Sequence, residues 1–130
     1  MIFVRALALA LAGLASAASS AQAADGRALF LDNCAACHQV TGKGVPGAFP
    51  ALDGSKVANG PAPAMAVVVL NGRGGMPAFR DELSDADLAA VMTYVRSSWS
   101  NKASAVTASL VTPVRRPGKR ENPKAALTAH

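Results

Sequence analysis

Cys34-Ala35-Ala36-Cys37-His38 is the stretch on which the reading of this chain turns. On one helical turn, positions i and i+3 share a face, so both sulfurs can reach the same flat ring system. Cys-x-x-Cys-His is the attachment signature of a c-type haem. Each thiol can add to one vinyl group, and His38 can present an imidazole nitrogen to the iron as proximal ligand. A second axial ligand has to come from elsewhere, and Met76 is the candidate. Three other chemistries compete. A structural zinc site needs four ligands, yet the chain has two cysteines and, besides His38, only His130. A thioredoxin-like pair needs a βαβ setting, whereas the flanking sequence is helical and glycine-rich. A plain disulfide leaves His38 without a role.

Outward from that motif, 130 residues suffice for one small domain. Residues 1–23 read as a secretory signal peptide, with Arg5 as the positive start, a short alanine-rich apolar run over 6–18, and Ala21-Gln22-Ala23 as the cleavage pattern. The apolar run is short for a membrane span, which takes about 20 residues; an uncleaved anchor is the alternative. Export agrees with the haem motif and places the protein in the periplasm. The charge divides sharply. Residues 24–100 carry six Lys/Arg against seven Asp/Glu, and residues 101–130 carry six Lys/Arg against Glu121 alone. The excess of positive charge is therefore a tail property, and the body has no basic face to offer a nucleic acid.

Ahead of the motif, Asp25-Gly26-Arg27-Ala28-Leu29-Phe30-Leu31-Asp32-Asn33 predicts a first helix with Asp25 as N-cap. Gly26 and Phe30 share a face, and a glycine there implies that another helix packs closely over it. Gly26-x-x-x-Phe30 leading into Cys34-x-x-Cys37-His38 resembles the opening of small class I cytochromes c. In that family the helix crosses a C-terminal helix at the glycine. The resemblance spans about residues 25–101.

Residues 39–54 hold four glycines and two prolines and read as loop. In the family a Pro-x-Leu element packs on the histidine side, and its carbonyl accepts the proton of the second ring nitrogen. Pro50-Ala51-Leu52 matches that element best, with Pro46 the alternative. Over 61–70 the apolar run Met65-Ala66-Val67-Val68-Val69-Leu70 fits strand or helix. Pro63 in a first turn and Asn71-Gly72 as a stop favour a short helix, as does the resemblance.

Gly74-Gly75-Met76-Pro77-Ala78-Phe79 is the second chemical element. The glycines permit close backbone approach, and Pro77 keeps the methionine out of a helix. The segment resembles the Gly-x-Met-Pro-x-Phe loop of small bacterial cytochromes c, where this methionine is the distal ligand. Met65 and Met92 are the competitors, and both sit where methionine is ordinarily core filler. Arg73 reads either as a partner for a haem propionate or as a solvated loop arginine.

Residues 84–99 give the best-signalled helix. Ser84 with Asp87 forms a capping box, and Leu88, Val91, Met92, Val95 and Trp99 make one apolar stripe. Tyr94 matches the aromatic position that meets the first helix in the family. The ending Thr93-Tyr94-Val95-Arg96-Ser97-Ser98-Trp99-Ser100-Asn101 resembles the last cytochrome domain of electron-acceptor subunits in bacterial membrane-bound dehydrogenases, which usually carry several haem motifs where this chain has one. From Lys102 onward the sequence is small, proline-containing and basic, and reads as a disordered tail, with docking to an acidic partner or an anionic membrane as a secondary role.

The expectation is thus an all-α class I cytochrome c fold with about three main helices around one covalently bound haem c and its iron: a signal peptide over 1–23, the domain over 24–101, and the basic tail over 102–130. The resemblance implies a one-electron carrier rather than an enzyme, held by Cys34, Cys37, His38, Pro50 and Met76. It would be a monomer or small subunit serving a dehydrogenase, respiratory complex or oxidase. A fixed haem subunit of a dehydrogenase is the alternative, and an open-site sensor or enzyme the third reading.

Overall fold

The computed structural model describes residues 25–116. The segments read as signal peptide (1–23) and as the far end of the tail (117–130) lie outside the described residues. Six helical segments follow one another: α1 (Gly26–Asn33), α2 (Ala35–His38), α3 (Lys56–Asn59), α4 (Ala62–Asn71), α5 (Asp85–Ser97) and α6 (Ala108–Arg115). Among the described residues the only β-type pairings are two isolated bridges, Val45 with Phe49 and Arg73 with Met76.

Local chemistry sets the helix starts. The Asp25 carboxylate accepts from the Arg27 backbone N–H at 2.9 Å and opens α1. Ser55 caps α3 through two N–H groups. Ser84 and Asp87 complete a reciprocal capping box on α5. Proline in the first turn and Gly72 beyond the last residue bound α4, so the ambiguous apolar run is a helix and not a strand.

The core lies where α1, α4, α5 and α6 meet, with Phe30, Leu70, Leu88 and Val111 fully buried. At the crossing of α1 and α5 the backbones nearly touch. A Cβ placed on Gly26 would lie 2.2 Å from the Ala90 carbonyl oxygen. The Phe30 ring meets Tyr94 at 5.4 Å and Trp99 at 5.5 Å between centroids, tilted and edge-on.

Two expectations are corrected. The helix read over 84–99 ends at Ser97, short of Trp99. Ser97 and Ser98 turn their hydroxyls back onto the carbonyls of Thr93 and Tyr94, which competes with continued helix. Trp99 then takes a left-handed φ of 54°, lies over Gly42 and donates from its indole to the Val40 carbonyl at 3.2 Å. The disordered tail does not hold for residues 102–116. Val106 and Val111 are buried, and Leu110 and Val114 pack against the same core, so α6 closes over α4 and α5 as a fourth main helix. This apolar burial supplies the drive to order that a solvated tail lacks.

Candidate haem site

Backbone bonds within one turn place the two cysteines and the histidine. Cys37 and His38 donate to the Cys34 carbonyl at 3.2 and 3.0 Å, and Gln39 to that of Ala35 at 2.9 Å. Gln39 then adopts a φ of 64° and ends the turn. No disulfide joins Cys34 and Cys37. Burial pushes the Cys34 thiol up to about 11, with the neighbouring Cys37 adding to the shift.

The His38 ring is buried, and Nδ1 lies 2.9 Å from the Pro50 carbonyl oxygen. With Nδ1–H as donor, Nε2 keeps its lone pair free to ligate. Pro46 does not take part in this bond. The loop that carries Pro50 folds back through Gly44 N–H to the His38 carbonyl at 2.9 Å and Leu52 N–H to that of Gly42 at 2.7 Å.

Met76 comes from the loop between α4 and α5. Its N–H donates to the Arg73 carbonyl at 3.0 Å, and Phe79 N–H donates to that of Val69 at 3.0 Å. Gly72 permits the tight return: its φ is 71°, and a Cβ there would clash at 2.4 Å with the Met76 carbonyl oxygen. Met65 and Met92 lie on α4 and α5 and are buried. Met76 is only partly buried.

Cys34, Cys37, His38, Pro50 and Met76 all border one cavity of about 380 Å³. Its remaining walls are mainly aliphatic and aromatic side chains, among them Leu52, Val69, Phe79, Val91 and Val95, and both Met65 and Met92 also reach it. Arg73 stands at the same cavity. Two thiols, an imidazole and a thioether border one apolar space, and that set of side chains fits a covalently attached haem. Among the described residues no three His, Cys, Asp or Glu side chains gather as a metal site of their own.

Residues outside the motifs hold these walls. Asn101 is buried at 2% exposure. Its amide donates to the carbonyls of Leu52 (3.0 Å) and Val95 (2.9 Å) and accepts from Gly54 N–H (2.9 Å) and the Asn59 amide (2.7 Å). Arg96, also buried, donates to the carbonyls of Ala58, Gly60 and Ser104, each at 2.8 Å. A charged residue late in an apolar helix stripe is the only hint of Arg96 in the sequence, and nothing there singles out Asn101.

A family model described as cytochrome c oxidase, cbb3-type, subunit III matches residues 21–95. Cytochrome c6 of Leptolyngbya boryana is 43% identical over 77 residues, covering 58% of this chain and 91% of that protein. Cytochrome c6 of Synechocystis sp. is 38% identical over 97 residues, 65% of this chain and 75% of that one. The cytochrome c subunit of quinone alcohol dehydrogenase from Gluconobacter oxydans is 34% identical over 90 residues, which is 60% of this chain but 19% of that subunit. An all-α domain closed around a Cys-x-x-Cys-His turn defines a covalent haem carrier. The chain belongs to the cytochrome c family. It is a c-type cytochrome with covalently bound haem c, an electron-transfer protein rather than an enzyme.

Proposed function

We propose that this protein carries single electrons in the periplasm between a dehydrogenase or respiratory complex and a terminal acceptor, on a haem with both axial positions filled. Cys34 and Cys37 would hold the haem through thioether bonds, and His38 and Met76 would be the axial ligands. When bound, the haem iron supplies one-electron Fe(III)/Fe(II) chemistry, with a potential that methionine ligation raises.

The rest is work for the chain. The Pro50 carbonyl fixes the His38 tautomer and makes Nε2 more basic. The Gly72 turn holds the Met76 loop at the same cavity, and the apolar walls exclude water. The observation that carries the reading is the His38–Pro50 bond of 2.9 Å on a cavity that Met76 also borders. Among the described residues no helix is long and apolar enough to cross a membrane.

Absorption spectra of protein matured with haem test the ligation. A low-spin ferric form with a weak iron–thioether band, unchanged by carbon monoxide, is expected. Met76→Ala should abolish that band and admit carbon monoxide, while Met65→Leu and Met92→Leu should keep it. A high-spin wild type would remove the His/Met assignment and favour an open-site sensor or enzyme.

A second reading has its own support in the likeness to a quinone alcohol dehydrogenase subunit. The protein would then be a fixed haem subunit of a dehydrogenase. Co-purification with a large catalytic chain separates it from a free carrier.

A further inference from the structure

We infer that α6 is a clamp on the methionine loop, with Arg115 as a positioning residue that keeps Met76 in place. This rests on the axial role proposed above for Met76. The matched family region ends at residue 95, so α6 lies wholly beyond it.

The clamp runs from α6 to both ends of the loop. Arg80, just after Phe79, donates through Nη2 to the Asn71 side-chain oxygen at 2.7 Å and through Nη1 to the Arg115 carbonyl at 2.6 Å. Asn71 is the last residue of α4, immediately before Gly72. One guanidinium therefore ties the loop's beginning to its end and both to α6. Arg115 answers in the other direction. It donates to the Arg80 carbonyl, to the Leu83 carbonyl at 2.7 Å, and to the Asp85 carboxylate.

The donors suit their acceptors. The Arg115 carbonyl belongs to the last turn of α6, where unsatisfied carbonyls and the helix dipole favour a cation such as Arg80. Arg115 uses three separate nitrogens in a planar fork, which a lysine cannot reproduce. The anchor beneath is apolar: Val111 is fully buried, and Leu110 and Val114 pack on the core. Thr112 adds a 2.7 Å hydrogen bond to Asp85. Releasing the Arg115 side chain would leave α6 seated and both bonds of the Arg80 guanidinium in place, while freeing the Arg80 carbonyl and with it the closing end of the span 72–79.

The test uses the full-length, haem-loaded protein. Added imidazole competes for the iron only when the loop opens, so its apparent affinity scales with the open fraction. Arg115→Ala and the milder Asn71→Ala should each bind imidazole about tenfold more tightly than wild type, with Arg115→Lys in between. Amide hydrogen exchange over 72–79 should accelerate in step. Gly26→Ala, which loosens the α1–α5 crossing without altering Asn71, Arg80, Asp85 or Arg115, should leave imidazole affinity unchanged. A wild-type thioether band combined with unchanged imidazole binding in the two variants would overturn the clamp and leave the ligation standing. An equal effect from Gly26→Ala would reduce it to general destabilisation and overturn it as well. A wild type without the thioether band would overturn the ligation instead, and unchanged exchange over 72–79 in Arg115→Ala would then overturn the clamp separately.

Discussion

Asn101 and Gly26 both pack against α5, and each admits one side chain for a different physical reason. The Asn101 amide spends two donors and two acceptor contacts, its full capacity, on four partners in three segments. Two of those partners, Leu52 and Gly54, belong to the loop whose Pro50 carbonyl fixes His38. Asn101→Ala leaves buried groups without partners, at about 1–3 kcal/mol each where water cannot replace the lost bond. A loss of about 3 kcal/mol is expected in urea unfolding of the haem-loaded protein; a loss below about 0.5 kcal/mol would mean that water substitutes fully. Gly26 is constrained by space alone. Helix propensity by itself makes Ala better than Gly by about 1 kcal/mol. The 2.2 Å approach to Ala90 reverses the sign, and Gly26→Ala should destabilise by about 1–3 kcal/mol as an overpacked contact. Measured unfolding free energies decide between the two, because they predict opposite directions. The glycine was legible from its i, i+4 partner Phe30. Asn101 was not, because a buried amide has the same local sequence signature as an exposed one.

At the scale of elements, α5 could be read and α6 could not. The Ser84–Asp87 box and the stripe Leu88, Val91, Met92 and Val95 are local signals that agree with one another. Helix α6 has a comparable stripe in Leu110, Val111 and Val114, with Val106 leading into it. It is short, contains Pro113, and runs into a dense basic stretch, so composition averaged over 102–130 hides it. What fastens α6 to α5 is polar and sensitive to pH. The Thr112 hydroxyl, and after it Arg115, hold the Asp85 carboxyl below the usual carboxylate range. A carboxylate with a lowered folded pKa contributes stability above its unfolded value, about 3.9. That contribution is lost as pH falls through the folded value. Since Asp85 is partly solvated, the Thr112 and Arg115 contacts are worth under about 1 kcal/mol. Thr112→Val should therefore lower the denaturation midpoint slightly at pH 7, and the gap from wild type should close as pH drops below about 4. Comparing the two proteins cancels Asp53, which the Ser100 hydroxyl and backbone N–H shift in the same direction. A gap that persists at pH 2–3, or widens there, would mean that Thr112 acts through packing rather than through the carboxylate.

For the whole molecule, the haem motif and the methionine loop were legible because covalent and axial chemistry demand particular atoms at particular spacings. The walls between them were not, since any apolar side chain of the right size can serve there. Those walls border a largely apolar cavity of about 380 Å³. A small domain buries little apolar surface alone and has only about 5–15 kcal/mol of stability, so the group that covers this apolar lining has to be counted as part of the core. The chain made without haem should then lack a cooperative unfolding transition. The tilted and edge-on contacts of Phe30, Tyr94 and Trp99 give a near-ultraviolet dichroism signal that should be weak in that form and strong after maturation. Trp99 is the only tryptophan, so its emission in the haem-free chain reports on this one junction and should resemble that of a solvated indole. The Cys34→Ser, Cys37→Ser double variant, which cannot form the thioether bonds, provides the haem-free form in a host that matures c-type haem. A haem-free chain with native dichroism and a sharp transition near the midpoint of the matured protein would show that α1, α4, α5 and α6 hold each other without the cavity being filled. The stabilising core would then be the α1–α5 crossing and the α6 anchor, and the haem a passenger in a preformed scaffold.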